Sequence, residues 1–177
     1  ATEIWERVRG APEIRQGPFR VSYTDGSGRH TKFERQHRRA GSGIYFGPDH
    51  PWNAAFPVSG GWQSSQRGEL AAALHAIRQN LEDPCPLLVK SDSSWTLAGA
   101  AALLLGYQAN YTWDHADLWG ELEEAIAQHL LHAPIRLRKV KGHANQSHID
   151  EGLVTEEERA GNIEADALAE EGADAHF

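Results

Sequence analysis

The sequence of 177 residues contains no methionine and only one cysteine, Cys85. A single cysteine excludes an internal disulfide, which fits a reducing compartment. No run of about 18 apolar residues occurs, so no helix can span a membrane, and the charged start ATEIWERVRG lacks the apolar segment of a secretory signal. We expect an intracellular protein, cytoplasmic or nuclear, without a membrane partner. The missing methionine indicates a chain processed or excised from a longer one.

The composition is typical of one globular domain, with 40% hydrophobic and 24% charged residues. The net charge of −8 argues against a nonspecific nucleic-acid binder. The charge is unevenly distributed, however. Residues 1–60 carry 9 Lys and Arg against 6 Asp and Glu, whereas residues 61–177 carry 8 against 19. The first third of the chain is therefore basic and the remainder is acidic.

Hydrophobic periodicity predicts the order of the secondary-structure elements. Strands are predicted at residues 19–25, 43–47, 53–58, 87–92 and 135–142. Helices are predicted from residue 64 to the prolines at 84 and 86, and at residues 93–107, 114–132 and 156–173. The order βββαβααβα predicts an α/β fold, with a mixed five-stranded sheet of three antiparallel strands followed by parallel ones and helices on both faces.

Composition divides the chain into an extension and a domain, and the domain contains two unusual segments. Residues 1–18 are predicted to be an N-terminal extension, and residues 19–177 the folded domain. Within the domain, residues 28–40 form an insertion rich in basic residues, and residues 144–160 form a long acidic loop. The insertion carries five cations against one acid: Arg29, Lys32, Arg35, Arg38 and Arg39 against Glu34.

Four acidic residues occupy positions where the predicted topology could bring them together. Asp25 ends the first strand and Asp92 the fourth, so adjacency of those strands would place the acids side by side. Glu69 lies in the first turn of a helix, and Asp166 lies one turn after Asn162 on the last helix. Each acid taken singly also has a structural explanation. Asp25 could form a hairpin turn, Glu69 could favour the positive end of its helix dipole, Asp92 could cap the following helix, and Asp166 could be surface charge.

Six short motifs in this order resemble the type 1 ribonuclease H family. They are TDGS at 24–27, SSQRGEL at 64–70, SDS at 91–93, DLW at 117–119, VKGHA at 140–144 and the GN-x-x-AD-x-LA pattern at 161–169. Together they cover residues 20–173. The resemblance implies the ribonuclease H fold and an endoribonuclease that hydrolyses the RNA strand of RNA–DNA hybrids, giving 5′-phosphate and 3′-hydroxyl ends.

By the same resemblance, two Mg²⁺ ions, with Mn²⁺ as a substitute, bind a group of four acids: Asp25, Glu69, Asp92 and Asp166. Hard divalent cations prefer such oxygen ligands, and two of them can act on the attacking water and the leaving oxygen. His143 in the VKGHA motif is the implied proton relay or product-release residue. The implied substrate contacts are Ser27, Ser65, Gln66 and Asn162, with Ser64 and Arg67 holding a DNA phosphate.

This chain also departs from the family pattern. The basic insertion is unusual, and we expect it to contact phosphates of the hybrid. The basic protrusion that some members carry before the DLW motif is missing or not basic here. The acidic loop is predicted to act as a lid or to dock a neighbouring domain.

Three alternatives remain open from the sequence. The same fold could serve as a catalytically silent binding or structural domain of a larger polymerase. It could also belong to another nuclease of this fold, of the resolvase or integrase type. As a ribonuclease H, the chain could be a monomeric, free-standing cellular enzyme or a domain of a retroelement polyprotein with other domains as partners.

Overall fold

The computed structural model describes residues 13–29 and 38–176, and a mixed sheet forms its centre. Its strands are β1 (Arg15–Gln16), β2 (Phe19–Arg29), β3 (Arg39–Tyr45), β4 (Ala54–Pro57), β5 (Leu87–Ser91) and β6 (Ile135–Lys139). The order is β4-β3-β2-β5-β6, with β1 paired to β2. Neighbours are antiparallel from β4 to β2 and parallel from β2 to β6. The predicted five-stranded mixed sheet is confirmed, and β1 is added to it.

The four predicted helices are present with shifted ends, and one short helix is added. The helices are α1 (Ser65–Asn80), α2 (Ser94–Leu104), α3 (Ala116–Leu130), α4 (Gln146–Asp150) and α5 (Glu156–Asp174). The short α4 lies within the segment predicted as an irregular acidic loop, where Asn145 and His148 form a capping box. Among the described residues, no helix is long and apolar enough to cross a membrane.

Both faces of the sheet are covered by helices, as the alternation in the strands requires. On one face, Phe19, Val21 and Tyr23 of β2 pack in a cluster that includes Ala165 of α5. On the other face, the larger core combines strand residues with α1, α2 and α3. Its members include Ile44, Leu87, Val89, Leu70, Leu103 and Leu122. The helices that carry the candidate acids therefore lie on opposite faces.

The Asp25–Gly26 pair lies inside a strand, so the prediction of a turn at Asp25 is wrong. Strand β2 continues to Arg29, and Asp25 pairs with Gly43 of β3. The glycine is explained by close packing instead. A Cβ atom on Gly26 would lie 2.2 Å from the backbone nitrogen of Glu69, so only glycine allows α1 to approach β2 this closely.

The ends of the basic insertion belong to the sheet. Gly28 pairs with Ala40, and Arg29 pairs with Arg39 across the hairpin. The Arg29 side chain lies 3.1 Å from a carboxylate oxygen of Asp174 on α5. The insertion's Lys32, Glu34 and Arg35 lie outside the described residues, and the expected phosphate contact stays a prediction.

The described part of the predicted extension is bonded to the domain. A carboxylate oxygen of Glu13 accepts a hydrogen bond from Nε of Arg20 at 2.9 Å, and Arg20 is fully buried. The same guanidinium donates to Asn80 at 2.6 Å and to Asp83 at 2.9 Å. The Arg20 side chain on β2 thus links Glu13 to the end of α1. The predicted domain boundary at residue 18 stays a prediction.

Candidate metal centre

Three of the candidate acids meet where β2 and β5 run side by side. These strands are parallel neighbours, and Thr24 pairs with Ser91. Asp25 and Asp92, one residue further along each chain, therefore lie at the same end of the sheet. The first two turns of α1 bring Glu69 to them over Gly26. One carboxylate oxygen from each acid lies within 4.8 Å of the others, which defines the carboxylate triad.

The environment of the carboxylate triad disfavours negative charge. Asp25 is only 4% exposed. Burial, followed by the Asp92 charge, raises the pKa of Asp25 to about 9, against the hydrogen bond from the Gly26 amide. Burial and the Asp92 charge also raise the pKa of Glu69 to about 7, although hydrogen bonding to Ser93 opposes the shift. Among the described residues, burial and the repulsion between the acids thus outweigh the effect of the nearby Lys139 charge on Glu69.

Asp166 and Asn162 approach the triad from α5. The amide nitrogen of Asn162 lies 3.4 Å from a carboxylate oxygen of Asp92, at hydrogen-bond distance. Asp166 is outside the group of mutually close oxygens, but its charge contributes to the raised pKa of Asp25. The structure therefore brings three predicted ligands together and leaves the fourth beside them; its metal contact stays a prediction.

The start of α5 is fixed by a buried ion-pair cluster, which the sequence did not reveal. Glu158 is 2% exposed and accepts hydrogen bonds from Lys90 at 3.2 Å and from Arg138 at 2.7 Å. Hydrogen bonds from these cations and from Thr155 overcome the effect of burial and lower the pKa of Glu158 to about 2. The cluster joins α5 to β5 and β6 one turn before Asn162.

The turn after β6 packs directly against the triad. A Cβ atom on Gly142 would lie 2.7 Å from Oδ2 of Asp92, so any side chain there would displace the carboxylate. The next residue, His143, is exposed and has a left-handed backbone with φ of 51°. The ammonium of Lys139, from the end of β6, contacts the carbonyl oxygen of Asp92 at 3.2 Å. Gly142 and Lys139 are site residues that sequence reasoning missed, although Gly142 lies within the VKGHA motif and Lys139 directly precedes it.

The predicted substrate contacts divide into two groups. Ser65 and Gln66 are exposed at the start of α1, and Ser27 is half-buried on β2. Ser64 instead caps α1 by accepting a hydrogen bond from the Arg67 amide at 3.1 Å. The substrate role of these residues stays a prediction.

Arg67 is held by contacts within the protein, and the expectation that it holds a phosphate stays a prediction. Its side chain is 6% exposed and makes a bidentate ion pair with Asp117 of α3, at 2.7 and 3.0 Å. Its Nε donates to the carbonyl of Ser59 at 2.8 Å. These contacts occupy the guanidinium and attach α1 to α3.

The donor set fits a hard divalent cation. All three triad ligands are carboxylates, and carboxylate oxygens are what Mg²⁺ and Mn²⁺ prefer. Burial makes the mutual repulsion of these acids strong, and a bound cation would remove it. The residues present therefore suit a metal centre.

The comparisons with known proteins agree with this geometry. The RNase H family profile matches residues 20–174. Human Ribonuclease H1 is 32% identical over 161 residues, which cover 89% of this chain and 51% of that protein. The chain thus spans about half the length of the curated relatives it matches.

Two solved viral structures are also similar. The RNase H domain of PFV has 26% identity and a TM-score of 0.65, covering 88% of this chain and 94% of that one. The Prototype Foamy Virus Protease-Reverse Transcriptase has 25% identity and a TM-score of 0.61, covering 93% of this chain and 22% of that one. With a profile match over residues 20–174 and three acids gathered beside the paired strands β2 and β5, the chain belongs to the RNase H family.

Proposed function

We propose that this chain is an endoribonuclease that hydrolyses the RNA strand of RNA–DNA hybrids and leaves 5′-phosphate and 3′-hydroxyl ends. The carboxylate triad carries the proposal, because it provides three oxygen ligands within 4.8 Å of one another at the end of a buried strand pair. Family membership and the likeness to human Ribonuclease H1 support it.

The metal ligands are Asp25, Glu69 and Asp92, with Asp166 completing the set from α5. Two divalent ions, when bound, would activate the attacking water and stabilise the leaving 3′ oxygen. We assign the ions as Mg²⁺, with Mn²⁺ able to replace it, because every ligand is a carboxylate. Asn162 orients Asp92 through its 3.4 Å contact.

Two further groups of residues act on the substrate. His143 is exposed on the turn beside Asp92, where an imidazole can carry a proton near neutral pH or assist product release. Ser27, Ser65 and Gln66 present short polar groups near the triad, suited to recognising the 2′-hydroxyl of RNA, which both donates and accepts hydrogen bonds.

A catalytically silent domain of this fold is the second candidate. All four acids that the family motifs require are present, which favours the enzyme. The similar domain within a foamy virus protease-reverse transcriptase supports a place in a polyprotein, and the likeness to human Ribonuclease H1 supports a cellular enzyme.

The test is cleavage of an RNA–DNA hybrid labelled on the RNA strand, with Mg²⁺ or Mn²⁺. The wild type is compared with Asp92→Asn and with Glu124→Gln, which alters an exposed acid on α3. We expect metal-dependent cleavage by the wild type and Glu124→Gln but not by Asp92→Asn. Single-stranded RNA and double-stranded DNA are the substrate controls. Folded wild-type protein that cleaves with neither metal would favour the silent domain.

A further inference from the structure

A basic groove lies on the part of the sheet that α5 does not cover. Helix α5 packs mainly on β2, β3 and β4 and reaches β5 and β6 through Glu158, so that the beginnings of β5 and β6 stay open on the same face. The groove has a volume of about 740 Å³. It is lined by Phe19, Leu88, Arg136, Arg138 and Lys139, among others.

The basic groove concentrates positive charge on an acidic protein. Residues 61–177 contain eight Lys and Arg, and three of these, Arg136, Arg138 and Lys139, line the groove, with Arg138 paired to Glu158. A fourth cation, Lys141, follows two residues later. Of the other four, Arg67 and Lys90 are buried in ion pairs. The guanidinium of Arg136 lies 4.6 Å from the ring centroid of Phe19 and, within residues 13–29 and 38–176, has no carboxylate at ion-pair distance.

The groove is continuous with the carboxylate triad. Lys139 lines it and also contacts the backbone of Asp92. Three residues later, Gly142 packs on the Asp92 carboxylate. Arg136 pairs with Leu88, which lies four residues before Asp92. Because a strand rises about 3.3 Å per residue, Arg136 lies about 13 Å from the triad along the strand direction. Cationic residues therefore extend from the candidate metal centre along the edge strand of the sheet.

We propose that the basic groove binds backbone phosphates of the substrate, about four nucleotides from the bond that is cleaved. This inference rests on the proposed function. At about 3.4 Å per nucleotide of one strand, a distance of about 13 Å corresponds to that spacing. An acidic peptide also carries negative charge, but the continuity with the triad favours a nucleic-acid strand. Arg136 would hold a phosphate with its planar fork of donors.

The experiment measures binding of an RNA–DNA hybrid of about 20 base pairs by fluorescence anisotropy in EDTA, at several salt concentrations. Arg136→Gln removes the charge and Arg136→Lys keeps it. We expect the magnitude of the slope of log K against log salt to fall by about 0.7 to 0.9 in Arg136→Gln only, since one phosphate contact is lost. Arg78→Gln, on an exposed ion pair of α1, is the control and should leave the slope unchanged.

Turnover separates this proposal from the proposed function. With Mg²⁺, Arg136→Gln should raise KM on the 20-base-pair hybrid severalfold. On a hybrid whose duplex ends about two base pairs from the cleaved bond on the side of the groove, it should leave KM unchanged. Wild-type cleavage with an unaltered slope in Arg136→Gln would overturn the groove and leave the enzyme standing. A wild type that binds hybrid but cannot cleave it would refute the enzyme alone. Polyglutamate that binds the wild type but not Arg136→Gln, with hybrid binding unchanged, would assign the groove to an acidic peptide.

Discussion

Replacing Asp25 with asparagine should stabilise the metal-free protein, and more so as the pH rises. The folded-state pKa of Asp25, about 9, exceeds its ordinary value of 3.8. The stability contributed by its proton is complete below pH 3.8 and is lost as pH rises towards 9, because the unfolded chain ionises first. Each pH unit in that window lowers the free energy of unfolding by about 1.4 kcal/mol.

The magnitude follows from two pH units. Between pH 5 and pH 7, the metal-free wild type should lose about 3 kcal/mol relative to Asp25→Asn. For a chain of this length, 1 kcal/mol shifts Tm by about 2 to 4 °C, so the difference in Tm between the two proteins should change by about 6 to 12 °C. A divalent metal at ten times its Kd should then add about 1.4 kcal/mol to the free energy of unfolding of the wild type at pH 7 and raise its Tm accordingly. The Tm of Asp25→Asn should rise much less.

The assay is thermal unfolding followed by circular dichroism, in EDTA and then in Mg²⁺, at both pH values. Glu124→Gln changes the net charge equally at an exposed position and serves as the control. A Tm difference between wild type and Asp25→Asn that is the same at pH 5 and pH 7 would refute the assigned burial of this carboxyl. Equal responses to Mg²⁺ would refute its role as a ligand.

Three other substitutions test the site and its supports. Gly142→Ala should displace the Asp92 carboxylate and lower metal-dependent cleavage at least about tenfold, or about 1.4 kcal/mol of activation free energy. Asp117→Ala leaves the buried Arg67 without its ion-pair partner, and chemical denaturation should show a free energy of unfolding lower by about 1 to 2 kcal/mol. Its kcat, measured in a kinetic assay, should be unchanged. Glu158→Gln removes the negative charge between the cations Lys90 and Arg138, and chemical denaturation should show a free energy of unfolding lower by about 3 kcal/mol.

Controls and contrary outcomes distinguish these effects. Gly120→Ala adds a methyl group in open space on α3 and should leave cleavage unchanged. Full activity of Gly142→Ala would contradict the contact with Asp92. If Asp117→Ala bound substrate more weakly without losing stability, the predicted role of Arg67 in substrate binding would be supported. An unchanged denaturation midpoint for Glu158→Gln would show that the ion-pair cluster contributes nothing net.

Much of the sheet and the triad could be predicted because the relevant signals are local. Alternation and helical periodicity identify the five longer strands and the four longer helices. The strand order then brings Asp25 and Asp92 together, since each directly follows the last residue pair between the parallel strands β2 and β5. The two-residue β1 is too short to show alternation, and it was missed for that reason.

Contacts between residues distant in sequence could not be predicted. Asp25–Gly26 has the sequence of a hairpin turn, but its glycine serves the approach of α1. Arg67 lies two residues before Glu69, yet its partner Asp117 is 50 residues away in sequence. Neither contact leaves a local pattern, so both required the structure.

The contacts at Gly26 and Gly43 have a consequence for how this protein tolerates change. A Cβ atom on Gly43 would lie 2.2 Å from the carbonyl oxygen of Ala165, so α5 touches the main chain of β3 as α1 touches that of β2. The spacing between these helices and the sheet is therefore set by backbone atoms and not by the volume of core side chains. Apolar residues elsewhere in the core can be exchanged at a cost in stability while Glu69 and Asp166 keep their separation from Asp25. Catalytic geometry and thermal stability can thus diverge independently among proteins built on this arrangement, and engineered variants could adjust one without disturbing the other.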